Sequence, residues 1–251
     1  MRERIYRTEA LILRRSDVGE ADRLLLLATP GGKRRVVAKG VRKTSSKLAG
    51  HVELFTRAGL LLAIGRNLDI ITQSEIRDSH ATLRAELPRL SCAYYAAELY
   101  DRFSAEHDEN APLYELLAQT FAALDRSANP DLVLRFYELH LLRLAGYRPH
   151  LHHCAVCQEL LTEEARHFSP GLGGVLCPRD QGADRAALVM SGPAFRLLRY
   201  LQRQPLAAVE TLHLSPAVRS EVEGLLRAYL RPLLERDLRS VAFLEEVMRV
   251  E

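Results

Sequence analysis

The stretch Arg23-Leu-Leu-Leu-Leu-Ala-Thr29-Pro-Gly-Gly-Lys33-Arg-Arg-Val-Val-Ala-Lys39-Gly-Val-Arg-Lys-Thr-Ser-Ser-Lys47 decides how the N-terminal part of the chain folds. Arg23–Thr29 is a near-continuous apolar run of strand length. Pro30-Gly31-Gly32 is a strong turn signal. Arg34–Val41 is again strand-like, with a β-branched centre, and runs into a basic loop, Arg42–Gly50. The segment Lys33–Lys47 holds seven basic residues and no acid, and all four lysines of the chain lie inside it. No Asp or Glu occurs between Asp22 and Glu53. A charge run is ordinarily a solvated face. Here lysine is concentrated in a chain that otherwise uses arginine, and the run is part of a folded strand. Lys33, Arg34, Arg35, Lys39, Arg42, Lys43 and Lys47 are therefore expected to grip a polyanion, nucleic acid first of all.

Further strands are expected around this pair, at Thr8–Arg15, His51–Thr56, Gly59–Ile64 and Leu68–Ile76. Five or six short strands within residues 1–78 predict a small closed barrel of the OB type, because closure removes exposed sheet edges. At Asp78-Ser79 the pattern changes to helical periods, with either residue able to cap. Helices are expected over Leu87–Ser104, Ala111–Asp125, from Asn129-Pro130 to Gly146, from Ser191 to Gln204 and from Ser215 to about Asp237, with a final short segment at Val241–Arg249. The helix opened by Pro130 is apolar almost all round, so it should be central and buried. The expected class is α+β with two domains. Residues 1–78 form a nucleic-acid-binding barrel, and 79–251 an all-α domain with a loop-like insert at about 150–190.

The whole-chain charge of +3 hides an asymmetry. Residues 1–80 carry 16 Lys+Arg against 9 Asp+Glu, and the remainder 19 against 23. A basic first part on a slightly acidic second part again points to a polyanion partner. The N-terminus lacks the apolar core of a signal peptide. With four cysteines, three of them clustered, a soluble cytoplasmic protein without membrane contact is expected.

The cysteines read Cys154-Ala-Val-Cys157 and, after 19 intervening residues, Cys177-Pro-Arg-Asp180. Cys-x-x-Cys sets two thiolates on one turn with the bite of tetrahedral zinc. The second pair ends in Asp180, which can serve as an oxygen ligand; His152, His153 and His167 compete for that fourth place. One structural Zn2+ is expected, stapling an insert with few large apolar residues. Cys92 reads as a small core residue of its helix.

Catalysis finds little support. A zinc nucleobase deaminase needs His-x-Glu followed by Pro-Cys-x-x-Cys. His107-Asp-Glu109 and Cys154-x-x-Cys157 imitate it, but His153 stands where Pro is required and Cys177 has no role. No Walker loop, nucleophile elbow or His-Glu-x-x-His helix occurs. Aromatic side chains that could stack on bases are scarce, since residues 1–80 hold only Tyr6 and Phe55. The basic surface should hold backbone phosphates with little sequence preference. Arg196, Arg199 and Arg203 share a helix face, as do Arg227 and Arg231. They are either ordinary solvated charges or a contact for DNA or an acidic peptide. A zinc-stapled RNA- or ribosome-binding module is the alternative of another class.

Several of these segments together resemble a known family. They are Gly19-Glu20-Ala21-Asp22, Leu24 and Leu26, Thr29-Pro-Gly-Gly32, Ala38-Lys39-Gly40-Val41-Arg42, and Ser45 or Ser46. With the helical second part and the Cys-x-x-Cys followed by a distant cysteine, the chain resembles the RecO recombination mediators of bacterial DNA repair. The resemblance implies an N-terminal OB-fold, a helical domain and a zinc knuckle inserted in it. It also implies binding of single- and double-stranded DNA, annealing of complementary strands, and help in loading recombinase. Implied partners are RecR, the acidic tail of single-strand-binding protein, and RecA indirectly. Lys39 and Arg42 match motif positions; the other basic residues rest on charge. The family often carries a second full Cys-x-x-Cys, where this chain has Asp180.

Overall fold

The computed structural model of the 251-residue chain describes residues 4–234 and 239–248. Five strands make the N-terminal sheet: β1 (Ile5–Val18), β2 (Asp22–Thr29), β3 (Gly32–Ala38), β4 (Arg57–Ala63) and β5 (Asp69–Asp78). They close into a barrel in the order β1-β2-β3-β5-β4. The long first strand makes closure feasible. Its outer half pairs antiparallel with β2 and its first half with β4, and a register shift between Ile12 and Arg14 bends it. The parallel seam between β3 and β5 is short, joining Val36 to Asp69 and Val37 to Ile70.

Alternation decides what fills the barrel. Ala10 and Ile12, Leu25 and Leu27, Val36 and Ala38, and Ala58, Leu60 and Leu62 point inward, joined by Ile71, Val41 and Val52. The expected strand at His51–Thr56 is instead a 3-10 turn, Ala49–Val52, followed by a reversal. Phe55 sits at φ 62°, and its N–H donates to Ile12 O at 2.7 Å. This segment plugs the barrel rather than adding a strand to it.

The chain forms two compact units. The first runs to Arg126 and takes in the residues from Ala242 on. It therefore joins the barrel to helices α1 (Ala81–Ala85), α2 (Leu87–Phe103) and α3 (Ala111–Arg126). Phe55 packs edge-on against Tyr94 and Phe121, with ring centroids 5.0 and 5.3 Å away. Tyr114 Oη and Arg57 both donate to Glu9, tying α3 to β1 and β4. Helix α2 is buried at Ser91–Ala93, Tyr95–Ala97, Leu99 and Tyr100, more than one stripe. Short α1 was not anticipated; His80 precedes it at φ 44° and hydrogen-bonds Phe55 O.

The second unit is Ser127–Val241. Its centre is α4 (Pro130–Leu144), buried at Leu132–Leu139 and at Leu141–Leu142. Around it lie α5 (Gly192–Arg203), α6 (Leu206–Glu210) and α7 (Pro216–Leu233). Even the polar side of α4 is covered, since Arg135 and Glu138 are buried and paired at 2.9 Å. Ser191 and Ser215 cap α5 and α7 through Ala194 N and Val218 N, as their positions before Gly-Pro and Pro required. Arg219 of α7 grips Asp131 and Asn129 at the start of α4. The region read as loop, 150–190, carries a small sheet in the order β7-β6-β8, from β6 (His167–Ser169), β7 (Gly174–Leu176) and β8 (Leu188–Val189). Its strands are too short for periodicity to reveal. The last helix, α8 (Arg239–Met248), covers most of the expected Val241–Arg249, and Arg249 lies outside the described residues.

Candidate nucleic-acid interface and metal centre

The basic run divides into two groups. Lys33 is only 12% exposed, and its Nζ donates to Asp101 Oδ1 and Asp101 O, both at 2.7 Å. Arg35 pairs with Glu106 at 2.8 Å. Arg34 donates to His107 Nδ1 at 3.0 Å and lies over the Tyr6 ring. The partners sit at the end of α2 and in the link to α3, roughly seventy residues away. Backbone reinforces the attachment: Glu106 bridges Lys33, and His107 N donates to Lys33 O. Gly32 is needed here, since a Cβ on it would stand 2.2 Å from Asp108 O. Lys33, Arg34 and Arg35 thus hold the link to the barrel.

Lys39, Arg42, Lys43 and Lys47 are all exposed. Among the described residues no carboxylate pairs with Lys39, Lys43 or Lys47, while Arg42 touches Asp17 at 3.3 Å and Gly19 O at 3.2 Å. Two sequence segments build this turn together. Asp22 Oδ1 accepts from Gly40 N at 2.7 Å, and Ala21 O accepts from Arg42 N at 2.9 Å. Gly40 adopts φ +63°, a conformation that costs other residues strain. Val41 is buried in the barrel core, so its neighbours Lys39, Arg42 and Lys43 face solvent. Neither aromatic of residues 1–80 is available to stack. Phe55 is core, and Tyr6 donates its hydroxyl to Asp69 at 2.6 Å. Burial first, then Asp69, pushes the Tyr6 phenol up to about 12.

In the second unit Cys154, Cys157, Cys177 and Asp180 converge, with all ligand atoms within 4.8 Å of one another. The turn Cys154–Gln158 closes through Gln158 N to Cys154 O, with Gln158 at φ 61°. The turn Cys177–Asp180 closes through Asp180 N to Cys177 O at 3.0 Å. Ala155 N donates to Val175 O and brings the two together. Gly174 permits this, because a Cβ there would lie 2.4 Å from His150 O. Asp180 Oδ2 lies 3.2 Å from Cys154 Sγ and 3.3 Å from Cys177 Sγ, and Cys157 and Cys177 sulfurs are 3.8 Å apart.

The thiols hydrogen-bond to Asp180 and hold its carboxyl below the usual range. The same carboxylate raises Cys157 to about 11. Burial acts upward on Cys154, but the N–H groups of Cys177, Cys157 and Val156 outweigh it and bring the thiol below its ordinary value. Three sulfurs around one anionic oxygen is a donor set that a divalent cation satisfies better than shared protons do. The residues present fit a metal. None of His152, His153 and His167 belongs to the group; His152 Nδ1 instead accepts from Arg199. Cys92 is buried in α2, and the ligand group among the described residues takes in Cys177 and Asp180 and neither His107 nor Glu109.

The partners Asp101, Glu106 and His107 escaped the sequence reading, although the acidic Glu106–Glu109 link contrasts with the acid-free basic run. Arg179, donating to Cys157 Sγ at 3.8 Å and paired with Glu159, carried no local signal.

These features define a class: an OB-like barrel with a basic turn, followed by a helical part carrying a four-residue metal-ligand cluster. Family models for "Recombination protein O N terminal" and "Recombination protein O C terminal" match residues 1–80 and 84–242. A protein named DNA repair protein RecO from Roseiflexus sp. is 57% identical over 250 residues, covering 100% of this chain and 88% of that one. The same name belongs to a Dehalococcoides mccartyi protein, 36% identical and covering 97% and 96%. It belongs also to one from Desulforudis audaxviator, 38% identical and covering 96% and 97%. The chain belongs to the RecO family of DNA repair proteins. Among the described residues no helix is long and apolar enough to cross a membrane.

Proposed function

We propose that the protein is a non-enzymatic, cytoplasmic mediator of recombinational repair. It binds single- and double-stranded DNA, anneals complementary strands, and helps load recombinase onto DNA coated by single-strand-binding protein. Residues 1–78 act as an OB-fold DNA-binding domain and 79–251 as a helical domain with a zinc insert at about 150–190. RecR and the acidic tail of single-strand-binding protein are its protein partners, with RecA reached through them. The observation that carries the reading is the Gly40 turn. It presents Lys39, Arg42, Lys43 and Lys47 to solvent, with no carboxylate paired to the three lysines among the described residues and neither Tyr6 nor Phe55 free to stack. Such a surface neutralises phosphates and leaves base edges free to pair, which an annealing protein needs.

Cys154, Cys157, Cys177 and Asp180 would hold one Zn2+. With four protein ligands the ion has no open position, so the chemistry it supplies is cross-linking of the two turns. Arg179 lies against the thiolate cluster and offsets part of its negative charge.

Titration of labelled single- and double-stranded DNA, with structured RNA as competitor at matched salt, tests the reading. DNA binding that RNA displaces only in large excess is expected. Preference for structured RNA would favour the RNA- or ribosome-binding alternative.

A further inference from the structure

The three sulfurs of the metal-ligand cluster are not equally placed. Cys154 is fully buried, and its sulfur accepts from Cys177 N at 3.3 Å and donates to Asp180 Oδ2 at 3.2 Å. Cys177 is buried as well, whereas Cys157 is exposed. The Cys157 sulfur lies 3.8 Å from Cys177 Sγ and accepts from Arg179 Nη2, also at 3.8 Å. Arg179 is itself exposed and divides its charge between Cys157 and Glu159. A solvent-facing sulfur with a cation beside it and a second sulfur within reach is the setting in which a cysteine meets an oxidant and passes the oxidation on to a disulfide. With a metal bound the sulfurs are thiolates, because a coordinating thiol is deprotonated outright.

We propose that Cys157 is a modification site for hydroperoxides, and that its conversion to a disulfide with Cys177 expels the metal ion from the cluster. The inference rests on the metal reading above. In the first step Cys157 Sγ attacks one peroxide oxygen, the O–O bond breaks, and hydroxide leaves while the sulfur becomes a sulfenic acid. Arg179 offsets the negative charge that develops on the departing oxygen. In the second step Cys177 Sγ displaces the sulfenic hydroxyl, forming the S–S bond and releasing a second hydroxide. The two sulfurs lose two electrons, the peroxide takes them, and both hydroxides leave as water with protons from solvent. Cys177 supplies the second sulfur because its own lies beside Cys157, while Cys154 Sγ is held inside by the Cys177 N–H and Asp180. Asp180 makes the loss of the ion complete. A fourth cysteine would leave two thiolates in place after one disulfide, whereas here only Cys154 and Asp180 remain, too few donors for a tetrahedral ion. The two turns stay joined by a covalent bond instead of the metal, so the insert keeps its connection and a dithiol reductant reverses the change.

The test titrates zinc-loaded, full-length protein with hydrogen peroxide in the presence of a metallochromic dye. Thiols are then counted by alkylation in denaturant and located by peptide mass. One equivalent of peroxide should release one zinc per chain, lower the alkylated thiols from four to two, and link Cys157 to Cys177. Dithiothreitol and added zinc should restore both thiols and metal. Arg179→Gln removes no ligand, so it should load the same zinc and release it about fivefold more slowly, the effect of one unit charge at about 4 Å in water. If loaded protein keeps its zinc and its four thiols in excess peroxide, the modification site is refuted while the metal reading stands. If the purified protein takes up no zinc, both fall. A disulfide between Cys154 and Cys157, sulfinic acid in place of any disulfide, or release from R179Q at the unaltered rate would each overturn the proposal.

Discussion

Neutralising the basic run at its two ends should have opposite consequences. Changing Lys39, Arg42, Lys43 and Lys47 to Gln removes four exposed cations that contribute little to the fold. Each phosphate neutralised on single-stranded DNA contributes about 0.7 to the log–log salt slope. The expected loss is about 2.8 if Arg42 turns toward DNA, and about 2 if it stays on Asp17 and Gly19. A loss of 2.8 corresponds to about 50-fold in affinity over a fourfold salt range. Melting temperature should hardly move, because exposed charges contribute little to stability. Lys33→Met should behave in reverse. It strips Asp101 of a partly buried partner and leaves Asp101 O without its donor, at a cost of about 1–3 kcal/mol. Its salt slope should stay within about 0.7 of the unaltered protein. Anisotropy titration between 50 and 200 mM salt, paired with urea unfolding, measures both quantities. An unchanged slope in the fourfold variant, or a Lys33 variant that matches it, would refute the division of the run.

Three further outcomes are expected. Elemental analysis should find one zinc per chain. Asp180→Ala should weaken zinc binding about 100–1000-fold in a chelator competition, if the roughly 10–16 kcal/mol of a structural site is shared evenly among four ligands; retention at the native level would remove Asp180 from the ligand set. Gly40→Ala alters no charge but forces φ +63° on a Cβ-bearing residue, at about 1–2 kcal/mol. DNA affinity should drop with the slope preserved, and an unaltered affinity would show that the turn geometry is irrelevant. Burial lowers the affinity of His140 for a proton, and its ring donates to Leu201 O and stacks on Phe136. The unfolded state then takes up protons first, so stability is complete above about pH 6.5 and declines as pH falls below it. In urea titrations between pH 7.5 and 5.5, His140→Gln should flatten that decline, and an equally steep decline would exclude His140 as its source.

The parts of the structure that were legible in the sequence are those whose determinants are local. Thr29-Pro-Gly-Gly32 joins two strands because the turn chemistry is contained in those residues. Cys154-x-x-Cys157 and Cys177-x-x-Asp180 each lie on one turn, so the members of the converging group could be read in pairs. Ser191 and Ser215 announced their helices through caps three residues long. The roles of Lys33, Arg34 and Arg35 could not be read that way. Charge nominated all seven basic residues alike, whereas Asp101, Glu106 and His107, far along the chain, assign these three to the fold. Similarly, His51–Thr56 has strand composition, but a reversal at Phe55 set by aromatic packing on α2 and α3 overrides it. The motif Asp22…Gly40 acquires its meaning in space, as one hydrogen bond that shapes the turn.

Strand annealing of DNA coated with single-strand-binding protein tests the central claim most directly. Complementary labelled strands are mixed with the purified protein, with its Lys39/Arg42/Lys43/Lys47→Gln variant, and with neither. The expected result is rapid duplex formation with the unaltered protein and near-background rates with the variant. Annealing by the variant at the unaltered rate, or no acceleration by a folded, zinc-loaded protein that binds both strands, would contradict the account.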